Sequence, residues 1–372
     1  MQLQSARQAI SRSTVREDLA VALTATWMII GLFLDGWAHN NEKPESFFTP
    51  WHGVLYSGFA ACAVAFGLVA RRRIEAGVRT RDTLPVAYEL GAVGVIGFGL
   101  GGIADLIWHT ALGVEVDSIA LISPPHLLLF STSLLIASTP FRAGWSDQAL
   151  VRNVGFRALF PALLGFTLAV ATVAFFFMNH TVFRYEMLVT NRVAWSGGSQ
   201  ESRDFWFNLD YTDFLLQTVL MSAPVLALMR RWRPPFGTVT MLWTTVAVLT
   251  EAIDGFDTAW TIIAALAAGV CVDALIARLD AGPGNVHSHL IIGGAMPLLL
   301  WSAWFLVAKV VSDVVWVAGA WSGTIVMCSL IGFGLALVSM PTLSPTATTN
   351  GTSSSGSSPP LPVPVMRPDS ST

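Results

Sequence analysis

Two stretches of the sequence place aspartate, histidine and glutamate at matching intervals. Both follow the pattern Gly-x3-Asp-x3-His-x5-Glu, and after a spacer of four or eight residues both close on Pro-x-His. Only seven of the 372 residues are histidine, so the repeated offsets indicate an internal repeat rather than coincidence. The residues are Gly31, Asp35, His39, Glu45 and His52 in the first copy, and Gly101, Asp105, His109, Glu115 and His126 in the second.

The residue types and their spacing are those of a metal site. An Asp and a His four positions apart lie on one face of a helix. Imidazole and carboxylate are ligands for Zn, Cu, Fe and Mn. One alternative is that the aspartates orient the histidine rings without binding the metal themselves. A second is that these residues are structural, since an isolated Asp or His near a helix end is often only a capping or interfacial residue. We predict two ligand sets, which are Asp35, His39 and His52, and Asp105, His109 and His126.

Other polar residues are candidates for the same chemistry. Glu45 and Glu115 are predicted as the general acid or base, or as further ligands. His180, Glu251 and Asp254 are possible additional ligands, and solvated helix ends are the alternative for the two acidic residues. Ionisable groups at membrane depth are costly, which favours a functional role for such residues.

The composition identifies the class of protein that must position these side chains. Only 12% of the residues are charged and 53% are hydrophobic, whereas a soluble domain carries about 25% charged residues. A soluble enzyme and a nucleic-acid-binding protein are therefore excluded, and the net charge of -3 gives no sign of a nucleic-acid partner. The sequence predicts an all-α, polytopic transmembrane bundle whose partners are the lipid bilayer and a metal ion; it identifies no protein partner.

Apolar stretches of roughly 20 residues, the length that crosses a bilayer, predict about ten spans. The first four form a duplicated two-helix unit, with copies at 19–70 and 86–141. A short segment, 1–18, precedes a transmembrane domain at 19–340, which includes a long external loop at 179–207, and the Ser/Thr/Pro-rich tail at 341–372 is predicted to be disordered. The spans are predicted near 19–38, 52–70, 86–109, 124–141, 156–178, 211–229, 237–256, 258–278, 289–309 and 315–338.

The distribution of basic residues predicts the orientation. Arginines are concentrated before the first span and after the second, fourth and sixth spans, all on one side of the membrane. The positive-inside rule places that side, and both termini, in the cytoplasm. Both predicted ligand sets then lie at the external face.

The spacing Asp35-x3-His39-x12-His52 resembles the D-x3-H-x12-H metal site in the C subunit of particulate methane and ammonia monooxygenases. The second copy departs from it, because 16 residues separate His109 from His126. This resemblance covers only the motif, and it implies a metal triad at a membrane interface, with oxidation as one chemistry. The fuller segments also resemble a group of uncharacterised bacterial, largely actinobacterial, membrane proteins, which implies a bacterial cytoplasmic membrane but no function.

Three functions remain open from the sequence. The first is a metal-dependent membrane enzyme that oxidises or hydrolyses a lipid-like or small substrate. Its metal would be Cu, Zn or Fe, and the two ligand sets could together hold a dinuclear centre. The second is a transporter of metal ions or protons. The third is a haem protein for electron transfer, with two of the histidines as axial ligands.

Overall fold

The computed structural model describes residues 12–43, 48–78, 83–113, 121–150, 155–184, 190, 197–312 and 314–340. The regular structure in these ranges is helical throughout. Glu45, Glu115 and the predicted disordered tail at 341–372 lie outside the described residues, as does most of segment 1–18.

Eleven α-helices are numbered here in chain order within the described residues. The fourth and fifth follow one another across Ser138, where Pro140 removes a backbone donor and interrupts a single span. The helices are α1 Val15–Asn40, α2 Pro50–Glu75, α3 Val86–Leu112, α4 Pro124–Ala137, α5 Thr139–Ser146, α6 Phe156–Phe176, α7 Gln200–Arg231, α8 Thr238–Ala252, α9 Trp260–Arg278, α10 Val286–Val311 and α11 Ala318–Val338.

Nine helical segments of the described chain are long and apolar enough to cross a membrane. Each of the ten predicted spans coincides with a helix, but α8 has only 15 residues and is not among the nine. It nevertheless runs antiparallel to α9 along much of that helix. Asp273 of α9 accepts hydrogen bonds from the amides of Val239 and Thr240 at the start of α8, while Glu251 at its end accepts from Thr258 just before α9.

The predicted external loop at 179–207 is in part helical. Helix α7 begins at Gln200, eleven residues before the predicted span, and Ser199 caps it by accepting from the amide of Ser202. Its 32 residues extend about 48 Å, longer than the roughly 30 Å of hydrocarbon. The polar first turns of α7 therefore continue beyond the apolar segment that the sequence pattern identified.

Small residues set the distance between the first two helices. A Cβ added at Gly31 of α1 would lie 2.5 Å from Cα of Leu55, and one at Gly58 of α2 would lie 2.5 Å from the amide nitrogen of Met28. The backbones of α1 and α2 are therefore in direct contact. In the second pair, Gly101 of α3 faces the side chain of Leu129 on α4 at 3.0 Å. These contacts bring the end of one helix against the start of the next.

Replacing Gly31 with alanine is expected to lower the free energy of unfolding by about 1–3 kcal/mol, because the methyl group would overlap the backbone of α2. Gly101→Ala is the matched control. There the neighbour is the flexible side chain of Leu129, and the better helix propensity of alanine, worth about 1 kcal/mol, offsets the crowding. Thermal unfolding in a mild detergent compares the two variants, and equal losses would contradict the expectation.

Candidate metal centre

The first cluster forms where the end of α1 meets the start of α2. Asp35 and His39 lie one turn apart near the end of α1, with 3.8 Å between Asp35 Oδ2 and His39 Nε2. Thr49 caps α2 by accepting from the amide of His52, and Pro50 opens the helix. This places His52 Nε2 3.1 Å from Asp35 Oδ1. The sequence could specify the Asp–His pair, whereas the approach of His52 results from helix packing.

The second cluster repeats this arrangement between α3 and α4. Asp105 Oδ1 lies 3.2 Å from His109 Nε2 and 3.1 Å from His126 Nε2. His126 is the third residue of α4, which opens with Pro124 and Pro125. The side chain of Asp105 is only 3% exposed and that of His109 9%. A buried carboxylate thus faces two imidazole nitrogens with one oxygen atom.

Three of the four Asp–His distances in the clusters are compatible with ligands of one metal ion, whereas the Asp35–His39 distance of 3.8 Å is longer. Two ligand atoms bound at about 2.0–2.1 Å with tetrahedral angles lie about 3.3 Å apart. The three shorter Asp–His separations are 3.1, 3.1 and 3.2 Å. In each cluster one atom from each of the three residues lies within 4.8 Å of the others. Within the described ranges, these are the two groups that could hold a metal ion.

The buried aspartate oxygens lack hydrogen-bond donors. Asp35 Oδ1 and Asp105 Oδ1 are both buried and accept no hydrogen bond, although imidazole nitrogens lie at hydrogen-bond distance. In a buried site this is costly, and it calls for an ion or a water molecule as the partner. The same atom of the same residue type is affected in both clusters, which makes a metal ion a consistent explanation.

The ring of His109 is oriented for ligation. Its Nδ1 lies 3.4 Å from the carbonyl oxygen of Gly113, the residue that ends α3. With the proton of a neutral ring on Nδ1, where it faces this carbonyl oxygen, His109 Nε2 and Asp105 Oδ1 are both acceptors, and they lie 3.2 Å apart. Two acceptors that face each other in this way are stabilised by a cation between them. A backbone carbonyl that fixes the second ring nitrogen is typical of metal-binding histidines.

The two clusters line one cavity. It includes Asp35, His39 and His52 from the first cluster, and Asp105 and His126 from the second. Its volume is about 90 Å³. Most of the remaining wall is apolar and comes from α1, α3, α4 and α6, as at Met28, Ile29, Phe98, Leu129 and Phe175. A substrate in this cavity would contact both clusters and an apolar surface.

Tyr56, which lines the cavity together with both clusters, is not among the residues that the sequence pattern predicted. It lies one turn after His52 and lines the same cavity as Asp35 and Asp105. Its ring crosses to α3 over Gly102, where an added Cβ would lie 2.8 Å from Tyr56 Cε1. The matching position of the second copy is Phe130, so at this position the two units differ by one hydroxyl group. The sequence shows this difference, but only the packing of the helices shows that Tyr56 lines the cavity of the two clusters.

The additional candidate ligands belong to neither cluster. His180 Nδ1 lies 3.0 Å from Oδ1 of the buried Asp213 on α7. Glu251 accepts hydrogen bonds from the hydroxyls of Thr258 and Thr261 and from the amide of Thr258. These bonds fix the turn between α8 and α9, in which Gly255 and Phe256 adopt φ values of 70° and 69°.

Asp254 takes part in a buried ion-pair network at the end of α1. Arg184, whose side chain is 3% exposed, donates from Nε to both carboxylate oxygens of Asp254. Arg184 also donates to Oδ1 of Asn40, and Asn40 Nδ2 donates to Asp254 Oδ1. Burial raises the pKa of Asp254, and the Arg184 guanidinium opposes that rise. The network anchors the residue next to His39.

The fold and the two clusters define a class, namely a multi-pass helical membrane protein with two Asp/His groups that could hold metal ions. Comparisons with protein-family models, curated proteins and solved structures gave no match.

Proposed function

We propose that the protein is a metal-dependent membrane enzyme that binds a transition metal ion at each of the two clusters. The observation that carries the proposal is Asp105 Oδ1, which is buried, lacks a hydrogen-bond donor, and lies at ligand distance from His109 and His126. The equivalent oxygen of Asp35 repeats it. The ligands are Asp35, His39 and His52 at one ion, and Asp105, His109 and His126 at the other.

The ligand types favour Cu, Zn or Fe. Three protein ligands leave an open position, at which such an ion activates water for hydrolysis or oxygen for oxidation. Because both clusters line one cavity, the two ions could act on the same substrate, and a dinuclear centre is one such arrangement. Glu45 and Glu115, six residues after His39 and His109, are proposed as the general acid or base.

The proposed setting is the cytoplasmic membrane of a bacterium. A pathway with ten crossings, in which α8 is a short span, keeps both termini in the cytoplasm, as the arginine distribution requires. The clusters then face the exterior. The matched positions of the glycine contacts, the prolines and the ligands support an origin of α1–α2 and α3–α5 by duplication.

An ion transporter is a weaker proposal. A permeating ion needs polar groups along its path, whereas the cavity wall includes Met28, Ile29 and Phe98. Haem ligation is also weaker. Asp105 Oδ1 approaches both Nε2 atoms of the second cluster within 3.2 Å, where a porphyrin ring would have to lie between axial ligands. A bare ion fits this space better.

Elemental analysis of the protein extracted in a mild detergent is the direct test. We expect two ions per chain in the wild type and none in the double variant His39→Ala, His109→Ala. His287→Ala is the matched control, because His287 is exposed and belongs to neither cluster. Metal content that persists in the double variant would exclude the proposal, and a Soret absorption band would favour haem.

A further inference from the structure

A groove between α2 and α3 lies next to the clusters on the outer surface of the bundle. It has a volume of about 580 Å³, and its walls are almost entirely apolar. Phe59 on α2 and Ile103 on α3 form part of these walls. Both helices are candidate spans, and Ile103 is 59% exposed. An exposed apolar surface on a spanning helix faces lipid chains rather than water.

The groove and the internal cavity share two residues. His52 and Tyr56 line both spaces, so these two side chains form the partition between them. His52 is at the same time a member of the first cluster. The groove therefore ends at a residue proposed to bind the metal.

Glycines keep the groove open on both sides. A Cβ at Gly53 of α2 would have no atom within 4 Å, and one at Gly99 of α3 would reach only the ring of Phe59, at 3.5 Å. Larger residues at these positions would project into the groove without disturbing the helix backbone. The groove is thus open because glycine lacks a side chain at these two positions, and the helix backbone there is regular.

We propose that the substrate is a bilayer-dissolved molecule with an alkyl chain, which reaches the clusters from the side through the groove between α2 and α3. This inference rests on the proposed function and adds the substrate class and the route. An alkyl chain matches the apolar walls, and its reactive end would pass Tyr56 to reach the cavity that contains both clusters. A water-soluble substrate would gain nothing from a groove that opens toward lipid.

The test uses copper(II) as a paramagnetic probe bound to the protein in phosphatidylcholine bilayers with fully deuterated acyl chains. Pulsed electron paramagnetic resonance then detects deuterium only in the immediate surroundings of the copper. We expect deuterium modulation from the chains in the wild type. Gly53→Trp should reduce it severalfold by filling the groove, and Gly67→Trp should leave it unchanged. Gly67 is a matched control, because it lies on the same helix, is exposed, and also has no atom within 4 Å of an added Cβ.

The outcomes separate this inference from the proposed function. Bound copper with deuterium modulation from D2O but none from the chains would overturn the lateral route and leave the metal sites in place. Chain modulation that Gly53→Trp does not reduce would overturn the groove as the route. Absence of bound copper, with no other metal found by elemental analysis, would remove the proposed function and this inference with it.

Discussion

Replacing Asp105 with asparagine is expected to weaken metal binding at the second cluster by more than about 100-fold, because outer-shell partners of a ligand alone contribute 10–100-fold. The change preserves the volume of the side chain but removes the charge that His109 and His126 face. At a metal concentration 100 times the wild-type dissociation constant, this site stabilises the wild type by about 2.7 kcal/mol, and most of that stabilisation should disappear in the variant.

The metal-free protein should respond in the opposite direction. In the wild type, Asp105 Oδ1 is a buried acceptor without a donor, which lowers stability when no cation is bound. The asparagine variant is therefore expected to unfold at the same or a higher temperature than the wild type after chelation. A residue with a purely structural role would lower the unfolding temperature in both conditions.

Thermal unfolding in a mild detergent, with and without added metal, provides both measurements. Asp213→Asn is the matched control, since Asp213 is a buried aspartate that pairs with a histidine, His180, outside the clusters. It should leave the metal-induced shift unchanged. Metal-induced stabilisation that survives in Asp105→Asn would exclude this carboxylate as a ligand.

Arg184→Ala is expected to cost about 3–5 kcal/mol of stability, because it removes the cation that pairs with the mostly buried carboxylate of Asp254. The variant also loses the bond to Asn40, which follows His39 at the end of α1. Metal affinity of the first cluster should therefore fall more than that of the second.

The stability that Arg184→Ala loses should depend on pH in a defined direction. Burial already raises the pKa of Asp254, and without Arg184 only the hydrogen bond from Asn40 opposes that rise. Above its pKa the carboxylate is charged and buried without a cation, whereas below it the group is neutral. The variant should therefore lose more stability at about pH 8 than at about pH 5.

Unfolding at both pH values, compared with Arg233→Ala, isolates this effect. Arg233 forms an ion pair with Asp280, but both side chains are largely exposed, at 51% and 68%. Exposed pairs contribute about 0–1 kcal/mol, so this control should change little. A similar loss in both variants, or a larger loss at low pH for Arg184→Ala, would contradict the role of the buried network.

Much of the fold follows from local sequence properties. Apolar length located a helix at each of the ten predicted spans, because a segment that crosses lipid must satisfy its own backbone hydrogen bonds. The pattern was less informative at the ends of helices. It could not show that α7 begins at Gln200 or that α8 ends at Ala252, since those boundaries depend on capping residues and on a turn fixed by Glu251.

The sequence by itself determined the class of protein and the two sets of candidate ligands, because composition, helical periodicity and a repeated spacing are properties of neighbouring residues. The tertiary structure decided which of these residues meet. Backbone contact at Gly31 brings His52 to Asp35, and the packing of five helices joins both clusters in one cavity beside Tyr56. It also engaged Glu251 and Asp254 in hydrogen bonds of their own. Contacts between distant segments depend on how side chains fit together in three dimensions, and residue spacing along the chain does not encode that fit.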